Sequence, residues 1–154
     1  MAPADLLMPL EGQRQETLKF LDSLNDGDLD RVLNGSGRTV RRIFAHLASA
    51  ELGQAFLIRR AAEGEVVHMS PDDRDQFNES EMDKADGWDC RRLRAELEEA
   101  RATLREAFSE LEESDLDRAI RWPEWPARTI RSSIPYMLEH EDSHLDEVRR
   151  ALDR

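Results

Sequence analysis

Apolar residues recur every three to four positions along four separate stretches of the chain, and nowhere do they alternate with a period of two over a useful length. This pattern predicts helices and argues against strands. In the first stretch, about 10–25, Leu18, Leu21 and Leu24 share one helical face, Pro9 stands where a first turn tolerates proline, and Gly27 follows as a stop. The second begins after the breaker Asn34-Gly35-Ser36-Gly37, with Thr39 as N-cap and Val40, Ile43, Phe44, Leu47 and Ile58 as its stripe, and runs to about Gly64. The third, about 89–113, carries Leu93, Leu97, Leu104, Phe108 and Leu111 among many Arg/Glu pairs. The fourth, about 129–152, carries Ile130, Ile134, Met137, Leu138, Leu145, Val148 and Leu152.

Two short motifs recur in order. Asp28-Leu29-Asp30-Arg31 returns as Asp115-Leu116-Asp117-Arg118, and Arg38-Thr39-Val40-Arg41 returns as Arg128-Thr129-Ile130-Arg131. Each half then reads as a helix, a short link and a second helix. Two such hairpins related by a pseudo-two-fold make a four-helix bundle in which the second and fourth stretches occupy equivalent places. Residues 65–88 separate the halves, rich in Asp and Glu and broken by Pro71. A connection of that length crosses over, covers a site or lacks fixed structure, and a crossover lets the second and third helices run parallel.

Charge narrows the function. With 22 Lys+Arg against 34 Asp+Glu the net charge is −12, which argues against a surface built to grip phosphate backbones or an anionic membrane. The 154 residues suit one domain, 1–154. No basic segment followed by a long apolar run appears at the N-terminus and no stretch approaches 18 apolar residues, so neither a secretory signal nor a membrane anchor is expected. Cys90 is the lone cysteine, which excludes an internal disulfide and suits a reducing cytoplasm.

The chain has four histidines. His140 and His144, four apart on the last helix, project from one face at the flank of the apolar stripe, close enough to share a metal. His46 flanks the stripe of the second helix, which the repeat turns toward the same interior, so three imidazoles can converge with coordination positions left open. The plainer alternative is that they are partly buried, hydrogen-bonded side chains. His68, in the polar connection, reads as a surface residue. His140-Glu141-Asp142-Ser143-His144 formally matches the HExxH pattern of zinc proteases. Only ten residues follow His144, and Glu147 and Arg150 stand where the extended motif needs Gly and a third His, so a protease is not expected. Glu141 points into the apolar stripe, as does its repeat mate Glu51, while Gln54 matches His144 in the repeat. Buried carboxylates demand a partner. Support for the histidines, a general base and an ion pair with an inward Arg all remain open. Trp122, Pro123, Trp125 and Pro126 cluster before the last helix, where they wall a pocket, cap the bundle or fill a dimer interface.

The residues Arg38-Thr39-Val40-Arg41 leading into Phe44-Ala45-His46-Leu47, with Arg128-Thr129-Ile130 leading into Glu139-His140-Glu141-Asp142-Ser143-His144, resemble the DinB/YfiT-like superfamily of bacterial four-helix proteins. The resemblance spans nearly the whole chain, and its specificity lies in the order and spacing of short motifs. It implies an all-α, up-down-down-up bundle with a long crossover between the second and third helices. It also implies a divalent metal, zinc or nickel, held by His46, His140 and His144. Characterised relatives include thiol transferases using mycothiol, bacillithiol or glutathione, and a mycothiol-dependent isomerase. The resemblance therefore implies a metal-dependent S-transferase that joins a low-molecular-weight thiol to an electrophilic small molecule, in a detoxifying or stress-response role. Dimers are common in that family, so a homodimer is carried as an expectation. A metal-dependent hydrolase with Glu141 as base, and a non-catalytic bundle that binds a ligand or partner, are the alternatives. The acidic end of the last helix, Asp142 and Asp146-Glu147, departs from common family patterns and bears on whether the thiol carries negative charge.

Overall fold

The computed structural model describes residues 2–123 and 128–154. A 3-10 turn, Pro3–Leu7, leads into α1 (Met8–Asp22) and a short α2 (Asp26–Leu29). Then come α3 (Val40–Ala62), α4 (Pro71–Lys84) and α5 (Cys90–Ser109). A second 3-10 turn (Glu113–Asp117) and two-residue strands β1 (Ala119–Ile120) and β2 (Arg128–Thr129) precede α6 (Ser133–Ala151). The breaker before α3 needs its glycines, since Gly35 and Gly37 sit at φ 95° and 71°, where a Cβ is disfavoured. Thr39 caps α3 as the sequence predicts, its Oγ1 accepting from the Arg42 amide at 3.2 Å.

Cross-helix contacts fix the directions of the four long helices. Arg41 Nε donates to the Trp88 carbonyl at 2.7 Å near the start of α3 and α5, and Arg59 reaches Glu106 at 3.6 Å near their ends, so these helices run parallel. Arg14 meets Glu141 at 2.8 Å while Arg149 lies over the Phe20 ring at 5.3 Å, so α1 and α6 also run parallel. Arg94 pairs with Asp22 and Arg105 Nε with Glu11 at 2.8 Å, which sets α1 antiparallel to α5. The bundle is up-down-down-up, and residues 65–88 carry the crossover. That connection holds a helix of its own, α4, which packs on α3.

The repeat is one of backbone geometry. The Val40 amide donates to the Arg31 carbonyl at 2.9 Å, and the equivalent Ile130 amide donates to Arg118 at 3.0 Å. Asp28 accepts from the Asn25 amide at 3.1 Å, as Asp115 does from Glu112 at 2.9 Å. The copies part at the helix start. Both threonines lie in an equivalent antiparallel bridge, Thr39 with Val32 and Thr129 with Ala119, but α3 starts at the next residue, Val40, whereas a turn over 130–132 delays the last helix to Ser133 rather than 129. These two-residue strands are also the departure from the strand-free reading, and they are too short for any alternation to show.

The apolar core falls into two clusters. One gathers Leu18, Leu21, Ile43, Phe44, Leu93 and Val148; the other gathers Leu10, Ile58, Leu104, Phe108, Ile134 and Met137. Between them lie Arg14, Glu51, Arg101 and Glu141, each no more than 6% exposed.

Candidate metal centre

The three histidines named by the sequence meet where α3 crosses α6. His46, at 6% exposure, lies on the inward face of α3, and its Nε2 faces His140 Nε2 at 3.2 Å. The three ring centroids are 4.6 to 5.1 Å apart, and one ligating nitrogen from each ring lies within 4.8 Å of the others. Two neutral imidazole nitrogens at 3.2 Å either share one proton or direct two lone pairs at one cation. A tetrahedral zinc with Zn–N near 2.0–2.1 Å sets its ligands ~3.3 Å apart, so the closest pair already has ligand spacing. His144 Nδ1 lies 3.1 Å from Glu147 Oε1, at ion-pair distance but without hydrogen-bond geometry, so the carboxylate acts on the ring through its charge. The residues fit a divalent cation.

Burial sets the protonation state. Desolvation, then the neighbouring His144 and His140 and the Arg38 guanidinium, push His46 down to about 2. Desolvation and His144 push His140 down to about 4 against the opposing pull of Glu141. Desolvation also lowers His144, with Glu147 acting the other way. All three rings are therefore neutral near pH 7, the form that binds metal.

The inward carboxylates have a different account. Arg14 Nη2 donates to Glu51 Oε1 at 3.0 Å and to Glu141 Oε1 at 2.8 Å, and Thr17 Oγ1 donates to Glu141 Oε2 at 2.6 Å. Arg101 Nη2 donates to Glu51 Oε1 at 2.8 Å. Arg14 Nη1 donates to the Leu97 carbonyl and Arg101 Nη1 to that of Leu10, both at 2.9 Å. The separation of 87 residues between the two DLDR copies also relates Arg14 to Arg101 and Leu10 to Leu97, so the network obeys the pseudo-two-fold. Burial alone would lower the Arg14 guanidinium's pKa; the flanking Glu51 and Glu141 raise it instead. The ion pair with an inward Arg is thus the partner found for both glutamates. With both oxygens engaged, Glu141 is poorly placed to take a proton from a reactant.

The histidines line a cavity of 440 Å³. Its walls include Arg38, Gln54, Trp122 and Tyr136, and α4 adds Arg74 and Asn78, so the long connection covers the site as well as crossing over. Trp122 and Pro123 wall it, while Trp125 and Pro126 lie outside the described residues. His68 is exposed, as expected, and does not join the cluster. Cys90 does not line the cavity, and burial and nearby carboxylates push its thiol up. The acidic end of α6 is absorbed locally: Asp142 accepts from Gln13 at 2.9 Å and Asp146 pairs with Arg149 at 3.3 Å. Sequence reasoning missed Tyr136, whose ring stacks on His140 at 5.6 Å. Its spacing carried the signal, since Tyr136, His140 and His144 form an i, i+4, i+8 row.

A family model described as the DinB superfamily matches residues 10–148. Two solved structures, of a mycothiol-dependent maleylpyruvate isomerase and of a point mutant of it, are similar with a TM-score of 0.79 at 15% identity. The alignment covers 96% of this chain and 61% of theirs, so the chain spans under two thirds of those proteins, and at that identity the likeness is one of fold. No curated protein sequence matches the chain. Among the described residues, no helix is long and apolar enough to cross a membrane.

Proposed function

We propose that this chain, which belongs to the DinB superfamily, is a divalent-metal-dependent S-transferase that joins a low-molecular-weight thiol to an electrophilic small molecule. The observation that carries the reading is the convergence of three neutral histidines, one buried and two half-buried, in one walled cavity. Zinc or nickel held by His46, His140 and His144 would supply Lewis acidity and lower the pKa of a thiol brought to it. In the reaction, the thiol sulfur forms one S–C bond. The bond from that carbon to its leaving group breaks with the electron pair, and the thiol proton passes to solvent.

The chain's own residues prepare this chemistry. Helix burial keeps the imidazole lone pairs available, and the Glu147 carboxylate stands beside His144. The Arg38 guanidinium, close enough to depress His46 and His144, favours negative charge in the cavity. Since Cys90 stands elsewhere, the sulfur must come from outside the chain. The fold likeness to a mycothiol-dependent isomerase supports an external thiol as co-substrate. We place the protein in the cytoplasm, as a homodimer or a monomer, acting on small molecules and not on nucleic acid.

The test is elemental analysis of protein purified without a histidine tag, followed by a panel of small thiols against chloronitrobenzene and epoxide electrophiles. One zinc or nickel per chain is expected, with metal and turnover both lost in His46→Ala and His140→Ala. A metal-free chain whose stability ignores EDTA would overturn the reading.

A further inference from the structure

A second cavity, also 440 Å³, lies between α3 and α4. Leu52, Gly53, Phe56 and Leu57 form its α3 wall, and Phe77 of α4 faces them. Trp122 belongs to the walls of both this groove and the histidine cavity. The lining is mostly apolar, with Ser49 and Glu81 its polar members, yet Phe56 is 53% and Leu52 36% exposed. Soluble chains normally bury such side chains, and adjacent exposed ones mark a contact surface.

Gly53 tells what the surface is for. It sits in the middle of α3 without a positive φ, so the backbone does not need it, and glycine there costs about 1 kcal/mol relative to alanine. A Cβ at this position would meet Phe77 Cε1 and Trp122 Cη2, each at 4.0 Å, with no clash. Alanine would therefore fit, and a larger side chain would grow into the groove. The residue keeps space open between two aromatic rings. A volume of this size suits a small organic molecule and not a protein element.

We propose that the groove between α3 and α4 is a subsite for an aryl or alkyl group of a small-molecule ligand whose reactive end lies in the histidine cavity. The ligand's identity as the electrophile rests on the transferase reading above; the binding of an apolar body does not.

The deciding experiment titrates the neutral dye N-phenyl-1-naphthylamine into metal-free protein and follows its fluorescence. Saturable binding is expected, at least tenfold weaker in Gly53→Leu and little changed in Gly53→Ala. Phe56→Glu, at an exposed rim position, should weaken it similarly and serves should Gly53→Leu fail to fold. n-Alkyl alcohols should displace the dye with affinity rising two- to fourfold per methylene. Equal dye binding in wild type, Gly53→Leu and Phe56→Glu, or none in wild type, would overturn the proposal. So would binding that appears only as a dimer dissociates, since the groove would then be an interface between copies. Because no metal or turnover enters the measurement, failure of the transferase reading leaves its outcome intact.

Discussion

Gln54 shows what a single buried side chain says about use. It is 3% exposed, lines the histidine cavity, and its Oε1 has no hydrogen-bond partner among the described residues. An unsatisfied buried acceptor costs about 1–3 kcal/mol, so folding alone would favour an apolar residue there. Gln54→Leu should therefore raise the unfolding free energy by about 1 kcal/mol in urea while weakening thiol or electrophile binding in the same protein. A loss in both, or in neither, would remove Gln54 from the binding machinery. Glu147 makes the complementary case. Its carboxylate lies 3.1 Å from His144 Nδ1 without belonging to the histidine cluster. Glu147→Ala should cost about 10–100-fold in zinc affinity, read by competition with a fluorescent chelator, and a smaller change would mean that the ring is held by packing. The three clustered histidines were legible because histidine is rare in this chain and four-residue spacing is helical. Glu147 stood out only as part of the acidic end of the last helix, because one acid among so many says nothing of its partner until the neighbour is known.

At the scale of elements, the layer of Arg14, Glu51, Arg101 and Glu141 divides the core at the level where all four long helices meet. Two guanidinium groups and two carboxylates cancel, and each side chain finds its partners on other helices. Removing one partner leaves a buried charge uncompensated. Arg14→Ala should thus cost about 3–5 kcal/mol in urea unfolding. Glu141→Gln keeps acceptor capacity toward Thr17 and should cost less. Should Glu141→Gln abolish turnover in a protein of near-normal stability, the structural role assigned to Glu141 would be incomplete. The glutamates announced themselves in the sequence as charges on an apolar stripe, but their partners did not. Arg101 sits among the many arginines of α5, whereas Arg14 is the lone arginine of α1 and stands four residues from both Leu10 and Leu18 on its apolar face; only the pairing of α1 with α5 shows that the two act together. The helix α4 was missed for a related reason. Among its residues only Met82 is buried, so it has no apolar stripe to detect. Its start was nonetheless written in the chain: Ser70 Oγ accepts from the Asp73 amide at 3.0 Å, the Asp73 carboxylate accepts from the Ser70 amide at 3.3 Å, and Pro71 fills the first turn. Caps mark helix ends even where periodicity is silent.

For the whole molecule, the buried histidines bind stability to pH with a definite sign. His46 and His140 fall to about 2 and about 4 in the folded protein, whereas an unfolded chain binds these protons near pH 6.5. Below 6.5 the unfolded state holds more protons than the folded one, so stability falls on acidification and recovers as pH rises. Each histidine contributes about 1.4 kcal/mol per pH unit in that window, so the two together give about 2.7, and His144 acts in the same direction. The excess of acidic side chains works oppositely, since neutralising carboxylates relieves self-repulsion in a chain of net charge −12, but unperturbed carboxylates titrate near pH 4. The interval from pH 6.5 to about 5 therefore isolates the histidines. Urea unfolding of metal-free protein across that interval should show a stability that drops toward acid, and His46→Ala should flatten the slope by about one histidine's share. Zinc added at pH 7 should stabilise the fold by an amount that grows with its free concentration and shrinks as the pH falls toward 5, because protons and metal compete for the same nitrogens. A slope of the opposite sign would mean that the histidines are solvated and charged, and the cluster would then be neither buried nor poised for metal.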